Sequence, residues 1–257
     1  MNCQAAGPRT GVVLAAGLGS RLAGARPGFR LKPLTPVAGM PLLLRTLRSV
    51  ALAGCRDVVI VVGYHGEEVE AAVRQYYDGP LQVHIAYNPH YALQNGLSVL
   101  AARPYVAAEP FLVMMADHVV GDELMTLVRA HVPPAQGATL LVDYRVDQIF
   151  DLADATKVRV ENGWIVDIGK QLTNYNAIDT GVFVCSFALM DALEAVYRER
   201  GDASLSDGVR RLAQMRRMAA LDIGNGFWQD VDTPEMLAYA EAQLLARAGQ
   251  PVTLHSS

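Results

Sequence analysis

What most constrains this chain is an alternation. Short apolar runs, GVVLAAG, DVVIVVGY, LQVHIAYN, PFLVMMAD and ATLLVDY, take turns with helix-like stretches such as EEVEAAVRQYY, NGLSVLAAR and DELMTLVRAH through the first 145 residues. Runs with no polar alternation belong to strands covered on both faces, and a strand-helix-strand rhythm predicts an α/β fold with a largely parallel sheet. Such sheets gather ligands at the carboxyl ends of their strands. Gly17, His65, Asn88 and Asp117 stand just past those predicted ends.

The rhythm breaks in the second half. KVRV and WIVDIGK flank Glu161, Asn162 and Gly163, which predicts a β-hairpin. The strand DTGVFVCS, a helix from Phe187 to Glu199, the helix-like LSDGVRRLAQM and the strand AALDI follow. A last helix is expected over 233–249, with Thr233 as N-cap, Pro234 at the first position and Gly249 as the stop. No linker, repeat or low-complexity tract intervenes, so 1–257 is read as one domain, divided near residue 145.

Bulk composition removes several classes of partner. With 51% hydrophobic and 19% charged residues the chain can bury a core without staples. Its 22 basic against 26 acidic side chains give a charge of -4, which offers no basic field for nucleic acid. No apolar run is long enough to span a membrane, and MNCQAAGPRT lacks the features of a secretory signal, so cytoplasmic residence is expected. Cys3, Cys55 and Cys185 are widely spaced, without a C-x-x-C pair, and read as reduced thiols.

Chemistry concentrates in VVLAAGLGSRL and the LKPL that follows. Gly17 and Gly19 suit close backbone approach to a phosphate, or simply a tight turn. A third glycine is missing where Leu22 stands and no Gly-Lys-Ser/Thr occurs, which removes the dinucleotide fingerprint and the Walker loop. Arg21 and Lys32 are two cations suited to a shared triphosphate, and Lys32 sits between apolar residues and Pro33 rather than in a charged run. Asp117 ends an apolar strand, and Asp232 follows Asp230 in WQDVDTP. Two distant carboxylates suit magnesium, although Asp232 also suits a helix-capping role. His118 reads as a hydrogen-bonding scaffold before a base. Gln94, Asn95, Gly96 and Ser98 combine amides and a hydroxyl at a helix start, fit either for a nucleobase edge or for plain capping.

Together LAAGLGSRL…LKPL, the Asn-Gly-x-Ser segment, MMADH and DVDT resemble the nucleotidyltransferases of the sugar-nucleotide pyrophosphorylase superfamily. The narrower likeness is to CTP:inositol-1-phosphate cytidylyltransferases and their phosphocholine and phosphonate relatives. It rests on MADHV at 115–119, FDLADATKVRVENGWIVDIGK at 150–170, IDTGVF at 178–183, LSDGV at 205–209 and WQDVDT at 228–233. The resemblance implies a Rossmann-like, mixed and mainly parallel sheet similar to the GT-A fold, with 1–145 as the nucleotide half and 146–232 as the acceptor half. It implies that Lys32 and Arg21 grip the triphosphate of CTP, that Asp117 and Asp232 carry Mg2+, and that Leu14, Ala15, Ala16, Gly17, Leu18, Gly19 and Ser20 cradle the nucleotide with Gln94, Asn95, Gly96 and Ser98. Lys170 and Asp179 would serve the acceptor, a small phosphorylated alcohol or a phosphonate, and a homodimer is among the expected assemblies.

Two departures stand out. AGARPGFRL makes the loop before Lys32 longer than is usual in the inositol-phosphate enzymes, adding Arg26 and Arg30. Many of those enzymes also carry a membrane-embedded phosphotransferase that this sequence lacks, which favours considering phosphonate and phosphocholine acceptors. Alternatives are a nucleotide-sugar pyrophosphorylase using another nucleotide and a nucleotide-binding domain without catalysis. A glycosyltransferase of related fold would show Asp-x-Asp, but Val119 stands two beyond Asp117.

Overall fold

The computed structural model describes residues 7–19, 21–22 and 31–248. In chain order its elements are β1 (Thr10–Ala15), β2 (Pro36–Val37), β3 (Met40–Pro41), α1 (Leu42–Leu52), β4 (Asp57–Val62), α2 (Gly66–Tyr76) and β5 (Gln82–Tyr87). Next come α3 (Gly96–Ala101), β6 (Phe111–Met115), β7 (His118–Val120), α4 (Asp122–Ala130), β8 (Ala138–Asp143), β9 (Lys157–Glu161) and β10 (Trp164–Gly169). The remainder is β11 (Ala177–Cys185), α5 (Phe187–Arg200), α6 (Leu205–Gln214), β12 (Met218–Asp222), β13 (Trp228–Asp230) and α7 (Pro234–Ala248).

Among the described residues, nine strands form one sheet in the order β5-β4-β1-β6-β11-β8-β12-β10-β9. Strands β5, β4, β1 and β6 are parallel, joined by the crossover helices that the sequence rhythm predicts. Past β6 the sheet is mixed: β11 runs antiparallel to both β6 and β8, β8 and β12 are parallel, and β12, β10 and β9 alternate in direction. Parallel pairing thus dominates the first half and not the second. The reason is local, because only a short 3-10 turn and the β9–β10 hairpin, and no α-helix, separate β8 from β11, and a returning strand without a crossover helix lies antiparallel. The predicted hairpin forms as β9 and β10, turning at Asn162 (φ 51°) and Gly163 (φ 78°). Strand β9 also pairs with β11 at Ala177 and Ile178, so this half curls back on itself.

Period-two alternation sends successive side chains of each strand to opposite faces. Val12 joins Leu97 of α3, Leu189 and Leu193 of α5 and Leu212 of α6 in one core; Val13 joins Leu43 and Leu47 of α1, Val73 of α2 and Leu124 of α4 in the other. A third cluster, with Leu22, Leu42, Val119, Phe227 and Leu237, seats α7. Thr233 Oγ1 accepts from Met236 N–H at 3.3 Å, the capping role expected of it. Gly249, Cys3, Arg26 and Arg30 lie outside the described residues. Cys55 and Cys185 are free, buried thiols, and burial pushes Cys55 up to about 12, in keeping with inert packing. No helix among the described residues is long and apolar enough to cross a membrane.

Helix α1 presses on the interior strand β1 where Gly11 faces the Val50 side chain too closely for any Cβ. Gly11→Val should therefore lower unfolding free energy by about 1–3 kcal/mol, the usual cost of overpacking. A urea midpoint equal to that of the parent protein would show that α1 can shift aside.

Candidate active site

The site begins at the carboxyl end of β1, where Ala15 and Ala16 run into the loop carrying Gly17 and Gly19. Gly19 has a φ of +61°, and a Cβ there would lie 2.5 Å from Cβ of Lys32, so only glycine lets the loop close over that lysine. Lys32 opens a short helical turn with Pro33 and is 9% exposed. Its ammonium donates to Asp117 Oδ2 at 2.5 Å and also to Asp232 Oδ1. Asp117 follows β6 and Asp232 follows β13. A ladder between β7 and β13 sets Asp230 opposite His118, and Val231 N–H donates to the Asp117 carbonyl at 2.9 Å. That ladder brings the two distant carboxylates together.

Electrostatics tightens the cluster. Burial opposes ionisation of both Lys32 and Asp117, but their mutual attraction outweighs it, raising the lysine and holding the Asp117 carboxyl well below the usual range. His118 Nδ1 lies 2.7 Å from Asp117 Oδ1, and its ring stacks on Trp228, whose indole N–H donates to Asp143 at 2.9 Å. The scaffold reading of His118 matches this position.

Arg21 forks between two acids, donating to Asp232 Oδ2 at 2.6 Å and to Asp154 Oδ2 at 2.8 Å. The other oxygen of Asp154 accepts from Lys170 Nζ at 2.5 Å. Two cavities meet here. The first, of about 160 Å³, is lined by Leu14, Ala15, Gly17, Gly19, Arg21 and Lys32. The second, of about 250 Å³, is lined by Asn95, His118, Asp154, Lys170, Asp179 and Trp228, and Asp117 and Asp232 border both.

Residues 11–218 match the MobA-like NTP transferase domain. The chain belongs to that family. It is 38% identical over 252 residues to the bifunctional IPC transferase and DIPP synthase of Rubrobacter xylanophilus, covering 95% of this chain and 54% of that protein. It is 45% identical over 246 residues to the CMP-5'-(3-aminopropyl)phosphonate synthase of Streptomyces rubellomurinus, covering 88% of this chain and 37% of that one. The chain thus spans about half the length, or less, of these curated relatives. Its fold superposes with a TM-score of 0.82 on the inositol-1-phosphate CTP transferase from T. maritima, 26% identical, over 96% of this chain and 99% of the other.

Within this NTP transferase fold the residues singled out from sequence separate into two groups. Lys32, Arg21, Asp117, Asp232, Leu14, Ala15, Gly17 and Gly19 meet around the first cavity, with Asn95, Lys170 and Asp179 in the second. Leu18 is exposed, the Ala16 carbonyl accepts from Tyr64 N–H at 3.3 Å, and Ser20 lies outside the described residues. Gln94, Gly96 and Ser98 line neither cavity. Asn95 Oδ1 accepts from Leu205 N–H at 2.9 Å, buried Ser98 accepts from Asn88 at 3.0 Å, and a Cβ on Gly96 would lie 2.5 Å from the Ala203 carbonyl oxygen. Asn95 and Gly96 thus knit the start of α3 to the start of α6, and Ser98 ties α3 to the residue that follows β5. His65, in the left-handed region, pairs with Glu68 instead of the site. Sequence reasoning missed Asp154, Asp230 and Trp228, all of which line the second cavity. Their only sequence signal was membership in the motifs that carry the resemblance.

The acids fit a small, hard cation. Both Asp117 and Asp232 reach the Lys32 ammonium, so their oxygens converge on one point, and a cation bound there would take over that lysine's place. Among the described residues no group of three or more His, Cys, Asp or Glu side chains forms a complete metal site. That donor set suits an ion completed by substrate phosphates and water.

Asp179 accepts from Gly181 N–H at 2.7 Å, and burial raises its carboxyl to about 6. Since the folded value exceeds the unfolded one, the folded chain binds the extra proton. That contribution is complete below the ordinary aspartate range and is lost as pH rises through about 6. Asp179→Asn should therefore raise stability at pH 7 by about 1–2 kcal/mol, allowing for partial solvent access, with little gain near pH 4. Chemical denaturation at both pH values checks this, and equal gains would remove the titration as the cause.

Proposed function

We propose that this chain is a magnesium-dependent cytidylyltransferase that moves CMP from CTP to a small phosphorylated alcohol, similar to inositol 1-phosphate, or to a phosphonate. The observation that carries the reading is the junction of the two cavities at Lys32, Asp117 and Asp232. It offers a place for a triphosphate on one side and an acceptor on the other, with the charges needed for transfer between them. The names of the Rubrobacter, Streptomyces and T. maritima relatives favour CTP and supply the two acceptor classes.

In this reading an acceptor phosphate or phosphonate oxygen attacks the α-phosphorus of CTP in line. The new P–O bond forms as the bond to the bridging oxygen breaks, and pyrophosphate leaves with that electron pair. Such transfer depends on positioning and charge neutralisation and needs no protein nucleophile. Lys32 and Arg21 set positive charge beside the triphosphate, offsetting the negative charge that grows on the leaving group. Lys170 is the cation available to the acceptor phosphate, and His118 fixes one oxygen of Asp117. A magnesium ion, held by Asp117 and Asp232, would supply Lewis-acid neutralisation of the phosphates.

Pyrophosphate release should require magnesium, CTP and an acceptor drawn from phosphorylated polyols, phosphocholine and phosphonates. Release with UTP and a sugar 1-phosphate, but not with CTP, would instead establish a nucleotide-sugar pyrophosphorylase. Under working conditions, Lys32→Ala and Asp117→Ala should each lower kcat by about 10²-fold or more. Asp232→Ala should shift the magnesium requirement upward, and an unchanged magnesium titration would return Asp232 to helix positioning.

A further inference from the structure

Asp154 is the one described carboxylate that touches side chains from both cavities without bordering the first. It receives Arg21, which lines the first cavity, at 2.8 Å and Lys170, which lines the second, at 2.5 Å. The turn beneath it is braced. Asp151 accepts from the backbone N–H of Asp154 through Oδ1 at 3.3 Å and from that of Ala155 through its carbonyl at 3.1 Å. Lys157, buried at the start of β9, donates its ammonium to the Ala153 carbonyl at 2.9 Å, and the Thr156 carbonyl accepts from Asp179 N–H of β11 at 3.0 Å.

We infer that Asp154 is a positioning residue that couples the two cavities by sharing one carboxylate between the nucleotide-side Arg21 and the acceptor-side Lys170. The inference rests on the assignment of the cavities to nucleotide and acceptor. Stability does not account for the arrangement, since Arg21 and Lys170 are 53% and 54% exposed and ion pairs that open to water contribute little. A braced turn that delivers a carboxylate to two exposed cations has its use in aiming them. Lys170 and Arg21 hold the Asp154 carboxyl down to about 2, so it is ionised throughout the working range.

Sharing gives the coupling a sign. While Lys170 draws on Asp154, Arg21 is held by only part of that charge and is released more readily to a triphosphate. Without Lys170 the whole charge acts on Arg21 and opposes the release. Loss of a side chain in one cavity is then felt in the other, and only through Asp154.

The test is a cycle of four proteins: the parent, Lys170→Ala, Asp154→Asn and the double variant, each titrated calorimetrically with CTP and magnesium, with thermal melts to verify folding. In the parent background Lys170→Ala should raise the CTP dissociation constant about threefold, the scale of one partly exposed ion pair. In the Asp154→Asn background the same change should have no effect, and Asp154→Glu should restore the coupling. An equal shift in both backgrounds, as long-range electrostatics would give, overturns the inference, and so does no shift in either. The titration needs no turnover. A chain that shows the coupling yet releases no pyrophosphate with any acceptor refutes the transfer reaction and leaves the role of Asp154 standing, whereas a parent protein that does not bind CTP refutes both.

Discussion

An ammonium buried to 9% exposure is the constraint around which this molecule is arranged. Taking Lys32 out of water costs several kcal/mol unless opposite charge meets it, and removing one partner of such a pair typically costs about 3–5 kcal/mol. Asp117 and Asp232 meet it from segments 85 and 200 residues away. The loop after β1, the end of β6 and the loop after β13 must therefore converge. An apolar trio of similar volume would hold the same segments together at least as well, so packing alone gives no reason for charge here. The proposed chemistry does, because a triphosphate needs fixed positive charge and a divalent cation needs fixed carboxylates.

From that centre the charges alternate outward: Asp117, Lys32, Asp232, Arg21, Asp154, Lys170. Each member is bracketed by opposite sign, and the chain passes from the first cavity into the second. The cations open outward along it, from nearly buried Lys32 to Arg21 and Lys170, each more than half open to water. Screening therefore weakens the outer links. A rigid inner pair with looser outer cations suits a site that must keep its centre fixed while its edges yield to substrates.

How much of this was legible in the sequence depended on length scale. DVVIVV and FLVMM read directly as buried strands because five or six consecutive apolar residues leave few alternatives, and Asn162-Gly163 announced its turn. Lys32 stood out because a lysine between Leu31 and Pro33 has no charged run to belong to. The β7–β13 ladder was illegible, as strands of three residues carry no period, and yet it joins Asp117 to Asp232. Asp154 was equally silent, since its importance lies in two partners 133 and 16 residues away. Asn95 and Ser98 were legible as polar residues at a helix start, but nothing local says that their side chains bond to Leu205 and Asn88.

The antiparallel insertion of β11 explains why the second cavity lies where it does. In the parallel half β1 and β6 deliver their carboxyl ends to the site, which supplies the Gly17–Gly19 loop and Asp117. Strand β11 runs against β6, with Val182 opposite Met114, so its beginning lies at that same edge. Asp179 and Gly181 therefore reach the site from the opposite chain direction, and the His118 ring fills the space where a Cβ on Gly181 would stand. Strand β8, antiparallel to β11, points its carboxyl end back to this edge. There Asp143, braced by Arg145, orients Trp228 against His118. A wholly parallel sheet would leave loops alone to build that wall. The reversal builds it from strands, so the second cavity, the proposed acceptor side, acquires the rigidity that in-line transfer would require.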